Sequence, residues 1–266
     1  MNGEELRSLA EEAFDWTVAL RRALHRIPEP GFEEFETQKL ICETLTALGI
    51  PFAAHRTWVV ADIVGARPGR VVALRADIDA LPVTEPEGCP FRSRREGWMH
   101  ACGHDAHTAI QLGAAKILSS LKDRMSGSVR LLFQPAEETE GGAKPMVAAG
   151  VLENPKVDAS YGLHLQSRLP LGTVETRYGT LNASTDDVIL DIFGRGGHAA
   201  YPENSVDAIV CAAGVMTALQ TLVSRNVSPL QSAVLSFGVI EGGRAANVVC
   251  DHVRLKGTLR TADPEL

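Results

Sequence analysis

The sequence lacks the features that mark membrane-spanning, secreted or nucleic-acid-binding proteins. No run of about 18 apolar residues occurs, so we expect no membrane span. The first residues, MNGEELRSLAEEAFDW, lack the basic start and apolar core of a signal peptide. The net charge is -7 with both signs interspersed, which argues against a nucleic-acid surface.

Cysteine is scarce and irregularly spaced. The five cysteines are odd in number, so no disulfide framework is expected, and a reducing cytosol is the expected location. A second paired motif of the CxxC type, which a structural zinc site would need, is also missing. Hydrophobic residues at 45% and charged residues at 22% indicate a globular chain with one large domain or two ordinary ones.

Strands that alternate with helices over residues 1–178 predict an α/β domain with a largely parallel sheet. Helices are predicted over 4–25, over 33–48 and in DAHTAIQLGAAKILSSL, and strands in VVALRADI, SVRLLFQ and VDASYGLHL. Sites in such sheets lie at the carboxyl ends of the strands. The polar segments DID, QPAEE and LHL follow or end three of these strands.

The pattern changes near Gly179, and residues 179–266 read as a second, α+β domain. Its predicted order is strand, helix, strand, strand, through TDDVILDIFG, NSVDAIVCAAGVMTALQTLV, SAVLSFGVIEGG and NVVCDHVRLKGTLRT. A ferredoxin-like domain would add one more helix and one more strand. We therefore expect the second domain to be incomplete within this chain.

The densest group of metal-binding side chains is the stretch MHACGHDAH, from Met99 to His107. Thiolate and imidazole groups suit zinc and related ions, and a Cys-x-His pair before a helix can present both to one side. The candidate ligands are His100, Cys102, His104, Asp105 and His107. A surface or capping role is the simpler alternative, and for Asp105 we expect a helix cap.

Further candidate ligands lie at distant strand ends. Glu137 and Glu138 follow a strand in QPAEE, and His164 ends the run ASYGLHL. If the chain is extended at the two glutamates, one carboxylate faces a metal and the other a water molecule. Asp77 and Asp79 end VVALRADIDALP, where a buried acid needs a partner or a metal. Taken singly, a solvated loop explains the glutamates and a structural role explains His164.

The second predicted domain carries three polar candidates. His198 lies in GRGGHAAYP, where glycines permit a sharp turn and the imidazole could donate to an oxyanion. Asn247 and Arg260 lie in a later strand and could bind a substrate carboxylate, Arg260 through its planar guanidinium group. A mobile loop and ordinary surface polarity are the alternatives.

Seven segments of the sequence, in order, resemble a family of dinuclear-metal amidohydrolases. They are LHRIPEPGFEEFET, LRADIDALPVTE, MHACGHDAHTA, FQPAEETEGGA, GLHL, GRGGHAAYP and NVVCDHVRLKGTLRT. The family includes hippurate hydrolase, auxin-amino-acid hydrolase and N-acyl-amino-acid deacetylases, within the wider aminoacylase and carboxypeptidase metallopeptidases. The resemblance runs from about Leu24 to Leu266. It implies an α/β metallohydrolase domain with an inserted ferredoxin-like lid domain that also serves for dimerisation.

The resemblance also implies roles for individual residues. One or two divalent ions (Zn, Mn, Co or Ni) would be bound by Cys102, His104, Glu138 and His164. Glu137 corresponds to the general base that activates the metal-bound water, and Asp79 to the acidic residue that orients the site. His198 corresponds to a lid histidine that stabilises the tetrahedral intermediate in a partner subunit. Asn247 and Arg260 correspond to residues that hold the substrate's carbonyl or carboxylate.

The implied activity is hydrolysis of the amide bond of an N-acyl amino acid by a cytoplasmic homodimer, with no nucleic-acid or membrane partner. A dipeptide substrate is the alternative among enzymes. Relatives finish the lid, return to the catalytic domain and supply another ligating histidine. The resemblance therefore implies that this chain is C-terminally truncated and that both of its domains are incomplete. A weakly active or inactive chain that binds metal or dimerises is the alternative outside catalysis. No role follows for His100 or His107, and Asp77 stands where many relatives have a ligating histidine.

Overall fold

The computed structural model describes residues 3–139, 141–263 and 265–266. The chain divides into two compact units, Met1–Arg168 and Leu169–Leu266. This division precedes Gly179, where the sequence pattern places the start of the second domain. Residues 163–185 contain neither helix nor strand. The boundary between the units, at Arg168, therefore lies within this irregular segment, before the first strand of the second unit begins at Asp186.

The first unit is built from helices and a five-stranded sheet. Its helices are α1 (Gly3–His25), α2 (Phe35–Ala47), α3 (His104–Leu121) and α4 (Ala143–Ala148). Its strands are β1 (Phe52–His55), β2 (Trp58–Val64), β3 (Arg67–Asp77), β4 (Ser126–Gln134) and β5 (Ala159–Gly162). α1 and α2 precede the first three strands, and α3 and α4 each lie between successive strands, so the α/β class predicted from the sequence is confirmed.

The sheet of the first unit is mixed, with strand order β1-β2-β4-β3-β5. β3 pairs in parallel with β4 and with β5, whereas β1–β2 and β2–β4 are antiparallel. The parallel pairing expected from the sequence therefore holds on one side of β4 only. Because β1 and β2 are joined by a tight turn, they form a hairpin, which is antiparallel by construction.

The core of the first unit lies between the sheet and the helices α2 and α3. Its fully buried members include Ile41, Leu45, Val59, Leu112 and Phe133. β4 is central, and its run Leu131–Gln134 is buried throughout, as expected of a strand covered on both faces. α3 buries most of its first half, including the polar residues His104, Asp105 and His107. Buried polar side chains at this position require partners, and these partners define the candidate site.

The parallel strands place the polar segments at one edge of the sheet. β3 ends at Asp77, β4 ends at Gln134 and β5 ends at Gly162. The segments that continue from these ends carry Asp79, the Glu137–Glu138 pair and His164. The strand-end clustering expected from the sequence is therefore observed, because all three strands point the same way.

The second unit packs one helix on a three-stranded antiparallel sheet of order β6-β10-β8. Its elements are β6 (Asp186–Phe193), β7 (Gly197–His198), α5 (Ala208–Thr221), β8 (Ala233–Gly242), β9 (Val248–Val249) and β10 (His252–Thr261). β7 and β9 form a separate two-stranded pairing. The main elements follow the predicted order of strand, helix, strand and strand.

One helical stretch of the second unit, Ala208–Asn226, is long and apolar enough to cross a membrane by length and composition alone, with hydropathy 1.4. No membrane span is predicted from the sequence, because it has no unbroken apolar run of this length. A helix that packs in a protein core has the same composition. Ala208 and Ala212 are buried in a cluster with Val253 and Leu255 of β10, but only 11% of the apolar window is buried, so this packing covers only a small part of the apolar surface of the stretch.

Candidate metal centre

The turn Cys102–His104 depends on a glycine. Gly103 lies immediately before α3 with a left-handed φ of +88°, a conformation that side chains other than glycine rarely adopt. A Cβ atom at this position would lie 3.0 Å from Leu165 Cδ1. The glycine thus allows the chain to turn between a thiol and an imidazole and to pass close to the segment that carries His164.

His104 is the buried centre of the cluster. Its Nδ1 lies 3.0 Å from the carbonyl oxygen of Asp79 and 3.1 Å from Asp79 Oδ1, so Nδ1 carries a hydrogen and donates it. Its Nε2 is buried and has no hydrogen-bond partner among the residues that the structure describes. A carboxylate that holds Nδ1–H in this way presents Nε2 to a metal ion.

Three carboxylates surround the unpartnered Nε2 of His104. Asp77 Oδ2 lies at 3.6 Å, Glu138 Oε1 at 3.7 Å and Glu137 Oε2 at 3.9 Å. Burial lowers the pKa of His104, but the hydrogen bond to Asp79 and the charge of Asp77 outweigh burial, and the pKa is raised. Concentrated negative charge of this kind favours a cation.

Glu137 and Glu138 approach His104 from the same side. The residue before them, Ala136, has a left-handed φ of +48°, and the segment forms a turn. The prediction of an extended chain with oppositely directed carboxylates is therefore wrong. Glu34, fully buried, accepts a hydrogen bond from Ala136 N–H at 2.8 Å and holds this turn. Glu138 N–H donates to Asp79 Oδ2 at 3.0 Å, so Asp79 contacts two candidate ligands.

Cys102 and His164 complete the group. Cys102 Sγ lies 3.3 Å from His164 Nε2, while His164 Nδ1 lies 2.6 Å from the carbonyl oxygen of Leu165. Burial and the neighbouring Glu138 carboxylate raise the pKa of the Cys102 thiol to about 12. The cluster thus brings a thiol, two imidazoles and two carboxylates together.

These residues fit a divalent cation. The ligand atoms of Cys102, His104 and His164 lie within 4.8 Å of one another, as do those of His104, Glu137 and Glu138. Mixed sulfur, nitrogen and oxygen donors suit zinc and neighbouring transition metals. Besides His104 Nε2, the buried Glu138 Oε1 has no hydrogen-bond partner in the described part of the chain. A cation bound between these atoms would satisfy both.

Asp77 is engaged by other side chains. Its Oδ1 accepts from His107 Nδ1 at 2.6 Å and its Oδ2 from Arg75 Nη1 at 2.7 Å. Burial raises the pKa of Asp77, but the hydrogen bond from His107 and the positive charges of His104 and Arg75 lower it to about 2. Sequence reasoning missed Arg75, although its position two residues before Asp77 places both on one face of β3.

Asp105 does not cap α3, so that prediction is wrong. Gly103 precedes the helix without a side-chain cap, and Asp105 lies inside the first turn. Its Oδ2 accepts from His25 Nδ1 at 2.8 Å and from Arg21 Nε at 3.1 Å. His25 belongs to LHRIPEPGFEEFET, which gave no ligand candidates, and 80 residues separate it from Asp105. No local signal could have revealed this pair.

The side chain of His100 is buried and takes no part in these hydrogen bonds. Neither ring nitrogen has a hydrogen-bond partner within the described ranges. Burial lowers the pKa of His100 to about 4, so the ring is neutral at physiological pH. The structure gives it no ligand role.

Two of the three candidates in the second unit, His198 and Arg260, lie in strands. Asn247 lies in the turn just before β9, so the prediction that it belongs to a strand is wrong. His198 in β7 pairs with Val248 in β9, and Ala199 N–H donates to the carbonyl oxygen of Asn247 at 3.0 Å. His198 and Asn247 are therefore close in the backbone. Arg260 in β10 donates to Thr258 Oγ1 and to the carbonyl oxygen of Leu259.

Comparison with known proteins identifies the family. Residues 73–262, which include every candidate ligand and the second-unit candidates, match peptidase family M20/M25/M40. This chain belongs to that family. The resemblance stated from the sequence motifs is confirmed, since the match covers most of the chain.

Individual M20 relatives are similar over nearly the whole chain. N-acetyl-L-cysteine deacetylase of Bacillus subtilis (strain 168) is 48% identical over 94% of this chain and 60% of its own length. N-acetyldiaminopimelate deacetylase of Bacillus velezensis is 43% identical over 93% of this chain and 67% of its own length. The crystal structure of the Bacillus subtilis YXEP protein, a dinuclear metal binding peptidase from the M20 family, has a TM-score of 0.80 and 37% identity, covering 96% of this chain and 66% of that chain. The chain thus spans 60% of the length of the first of these relatives.

Proposed function

We propose that this chain provides the metal-binding and lid portions of an amidohydrolase that cleaves the amide bond of N-acyl amino acids. The unpartnered Nε2 of His104, surrounded by carboxylates and close to Cys102 and His164, carries the proposal. The substrate class is supported by two relatives that are named as deacetylases of N-acetyl amino acids.

The metal ligands in this proposal are Cys102, His104, Glu138 and His164, for one or two divalent ions among Zn, Mn, Co and Ni. When bound, such an ion lowers the pKa of a water molecule and polarises an amide carbonyl. Asp79 orients His104 through Nδ1 and Glu138 through its backbone N–H.

Glu137 is the general base of the proposed reaction. Its side chain is 39% exposed, so it can reach both solvent and the buried ligands. Burial and the charge of Glu138 raise its pKa, which makes the carboxylate a stronger base than an exposed glutamate. It would take a proton from water and pass it to the leaving amine.

The second unit is proposed to act as a lid in a cytoplasmic homodimer. His198 would donate to the oxyanion of the reaction, while Asn247 and Arg260 would hold the carbonyl or carboxylate of the substrate. Exposed apolar residues on α5, such as Val210 at 68% exposure, support pairing through this unit. The five free cysteines support a reducing compartment.

The substitution Glu137→Gln tests the proposal in the metal-loaded chain. Hydrolysis of N-acetyl amino acids should fall by about 10²–10⁴-fold, because the general base is lost while the proposed ligands remain. Bound metal, measured by elemental analysis after gel filtration, should not change. Glu87→Gln, at an exposed position of the first unit, is the matched control and should keep wild-type turnover.

The substrate panel contains N-acetyl amino acids and dipeptides, with each of the four metals. Faster cleavage of dipeptides would replace the proposed substrate class with that of a dipeptidase. Metal binding without turnover of any substrate would contradict the proposed activity of the chain. Unchanged turnover in Glu137→Gln would remove Glu137 as the base.

A further inference from the structure

His107 makes two hydrogen bonds that fix its tautomer. Its Nε2 accepts from the backbone N–H of Leu165 at 2.9 Å, and an amide N–H can only donate. The ring hydrogen is therefore on Nδ1, which lies 2.6 Å from Asp77 Oδ1. Both nitrogens of this buried ring, which is 1% exposed, are engaged within the protein. His107 therefore has no free nitrogen for a metal ion, although it lies among ligand-type groups.

The Asp77 end of this contact is held by further hydrogen bonds. Asp77 is the last residue of β3, and its second carboxylate oxygen accepts from Arg75 at 2.7 Å. Thr108 Oγ1 donates to the carbonyl oxygen of Asp77 at 3.0 Å, which adds a second link between α3 and β3. The imidazole of His107 is thus held by the end of a strand and by the first turns of a helix.

The Leu165 end of this contact is next to a candidate ligand. β5, at the edge of the sheet, ends at Gly162, and the chain continues without helix or strand through His164 and Leu165. Leu165 accepts from His164 Nδ1 through its own carbonyl oxygen at 2.6 Å. This contact puts the ring hydrogen on Nδ1 and turns His164 Nε2 toward Cys102 Sγ, which lies 3.3 Å away. The position of Leu165 therefore determines the position and the tautomer of His164.

We propose that His107 is a positioning residue that places the ligand His164 by holding the backbone N–H of Leu165. The proposal rests on the proposed function, because it takes His164 as a metal ligand. His107 touches neither substrate nor metal and acts through Leu165. If His107 Nε2 is removed, the segment after β5 loses the hydrogen bond from Leu165 N–H to α3. His164 then no longer faces Cys102.

Two substitutions separate the two hydrogen bonds of His107. In His107→Gln, the side-chain oxygen reaches the position of Nε2 and can accept from Leu165 N–H, whereas the donor to Asp77 is lost. In His107→Asn, the side-chain NH₂ lies near the position of Nδ1 and can donate to Asp77, whereas the acceptor for Leu165 is lost. Both variants remove one buried imidazole, so they share any general cost in stability, which thermal unfolding of the metal-free chain measures.

The readout is the affinity for Co²⁺ from chelator competition, with the thiolate-to-cobalt absorption as the spectroscopic signature of Cys102 coordination. His107→Asn should weaken binding by about 10–100-fold, the range for lost partners of metal ligands. His107→Gln should retain the wild-type affinity and spectrum. Equal losses in both variants, or full affinity in His107→Asn, would overturn the positioning role. If the wild-type chain does not bind Co²⁺ at all, both the positioning role and the proposed function are overturned.

Discussion

At the scale of single residues, the site depends on two backbone conformations that most residues avoid. Gly103, between two candidate ligands, has a φ of +88°, and Ala136, just before the glutamate pair, has a φ of +48°. A left-handed conformation costs roughly 1–2 kcal/mol for a residue with a Cβ atom. At Ala136 the hydrogen bond from its N–H to the buried Glu34 helps to offset this cost.

The substitution Gly103→Ala should weaken metal binding. The alanine would have to adopt a left-handed backbone conformation, and its Cβ would lie 3.0 Å from Leu165 Cδ1. We expect the strain to shift Leu165 or the turn between Cys102 and His104 by a few tenths of an ångström. The matched control is Gly88→Ala, which has a φ of +103° but no atom within 4 Å of the added Cβ. Urea unfolding should show a loss of about 1–2 kcal/mol for both variants. Only Gly103→Ala should lose Co²⁺ affinity, and equal affinity in the two variants would contradict the role assigned to this turn.

At the scale of secondary-structure elements, His25 ties the end of α1 to the start of α3. Its Nδ1 donates to Asp105 at 2.8 Å and its Nε2 to Glu85 at 3.1 Å. The hydrogen bond to Asp105 raises the pKa of His25 more than burial lowers it. The folded chain therefore binds this proton more tightly than the unfolded chain, in which the pKa is about 6.5.

This tie predicts a stability that decreases with rising pH. The contribution of His25 is fully present below pH about 6.5 and is lost as the pH rises through the raised folded-state pKa. In urea unfolding, the difference in stability between the wild type and His25→Gln should be smaller at alkaline than at slightly acidic pH. The control His55→Gln, at an exposed position of β1, should show no such convergence. A pH-independent difference for His25→Gln would exclude a charged His25.

Most elements of the fold and the strand ends could be predicted from the sequence because both depend on local patterns, although the short strand β1 was missed. Apolar periodicity located α3, and the strand β4 was visible in SVRLLFQ. The partners of the polar residues depend on contacts between distant segments, so they were not accessible. The Asp105–His25 pair is one example, and the bond from Leu165 to His107 is another. The prediction that Glu137 and Glu138 point in opposite directions was wrong because of the left-handed conformation of Ala136. An alanine in the sequence gives no signal of such a conformation.

At the scale of the whole molecule, the two units have cores of different size. The first unit buries a cluster that includes Ile41, Leu112 and Phe133, whereas the cluster of the second unit is built from smaller groups around Ala212. α5 therefore covers its sheet with alanines and leaves larger apolar residues exposed, such as Ile209 and Val210. This exposed apolar surface is the basis of the proposed pairing through the second unit.

The substitution Val210→Glu should disrupt the proposed homodimer. A charge placed on the exposed apolar face of α5 would have to be desolvated in an interface, which is unfavourable. Light scattering after gel filtration should show a shift from dimer toward monomer. The control Gln220→Glu introduces the same group at an exposed polar position of the same helix and should leave the mass unchanged. A dimer that persists in Val210→Glu would place the contact elsewhere.

Asp79 has a consequence for anyone who wishes to move this centre into another scaffold. One of its oxygens receives the His104 ring N–H, and the other receives the Glu138 backbone N–H. A transferred site must therefore include three chain segments, those of Asp79, His104 and Glu138, and must keep both hydrogen bonds to the Asp79 carboxylate. A design that copies the ligands but omits Asp79 would lose the hydrogen bonds that orient both His104 and Glu138.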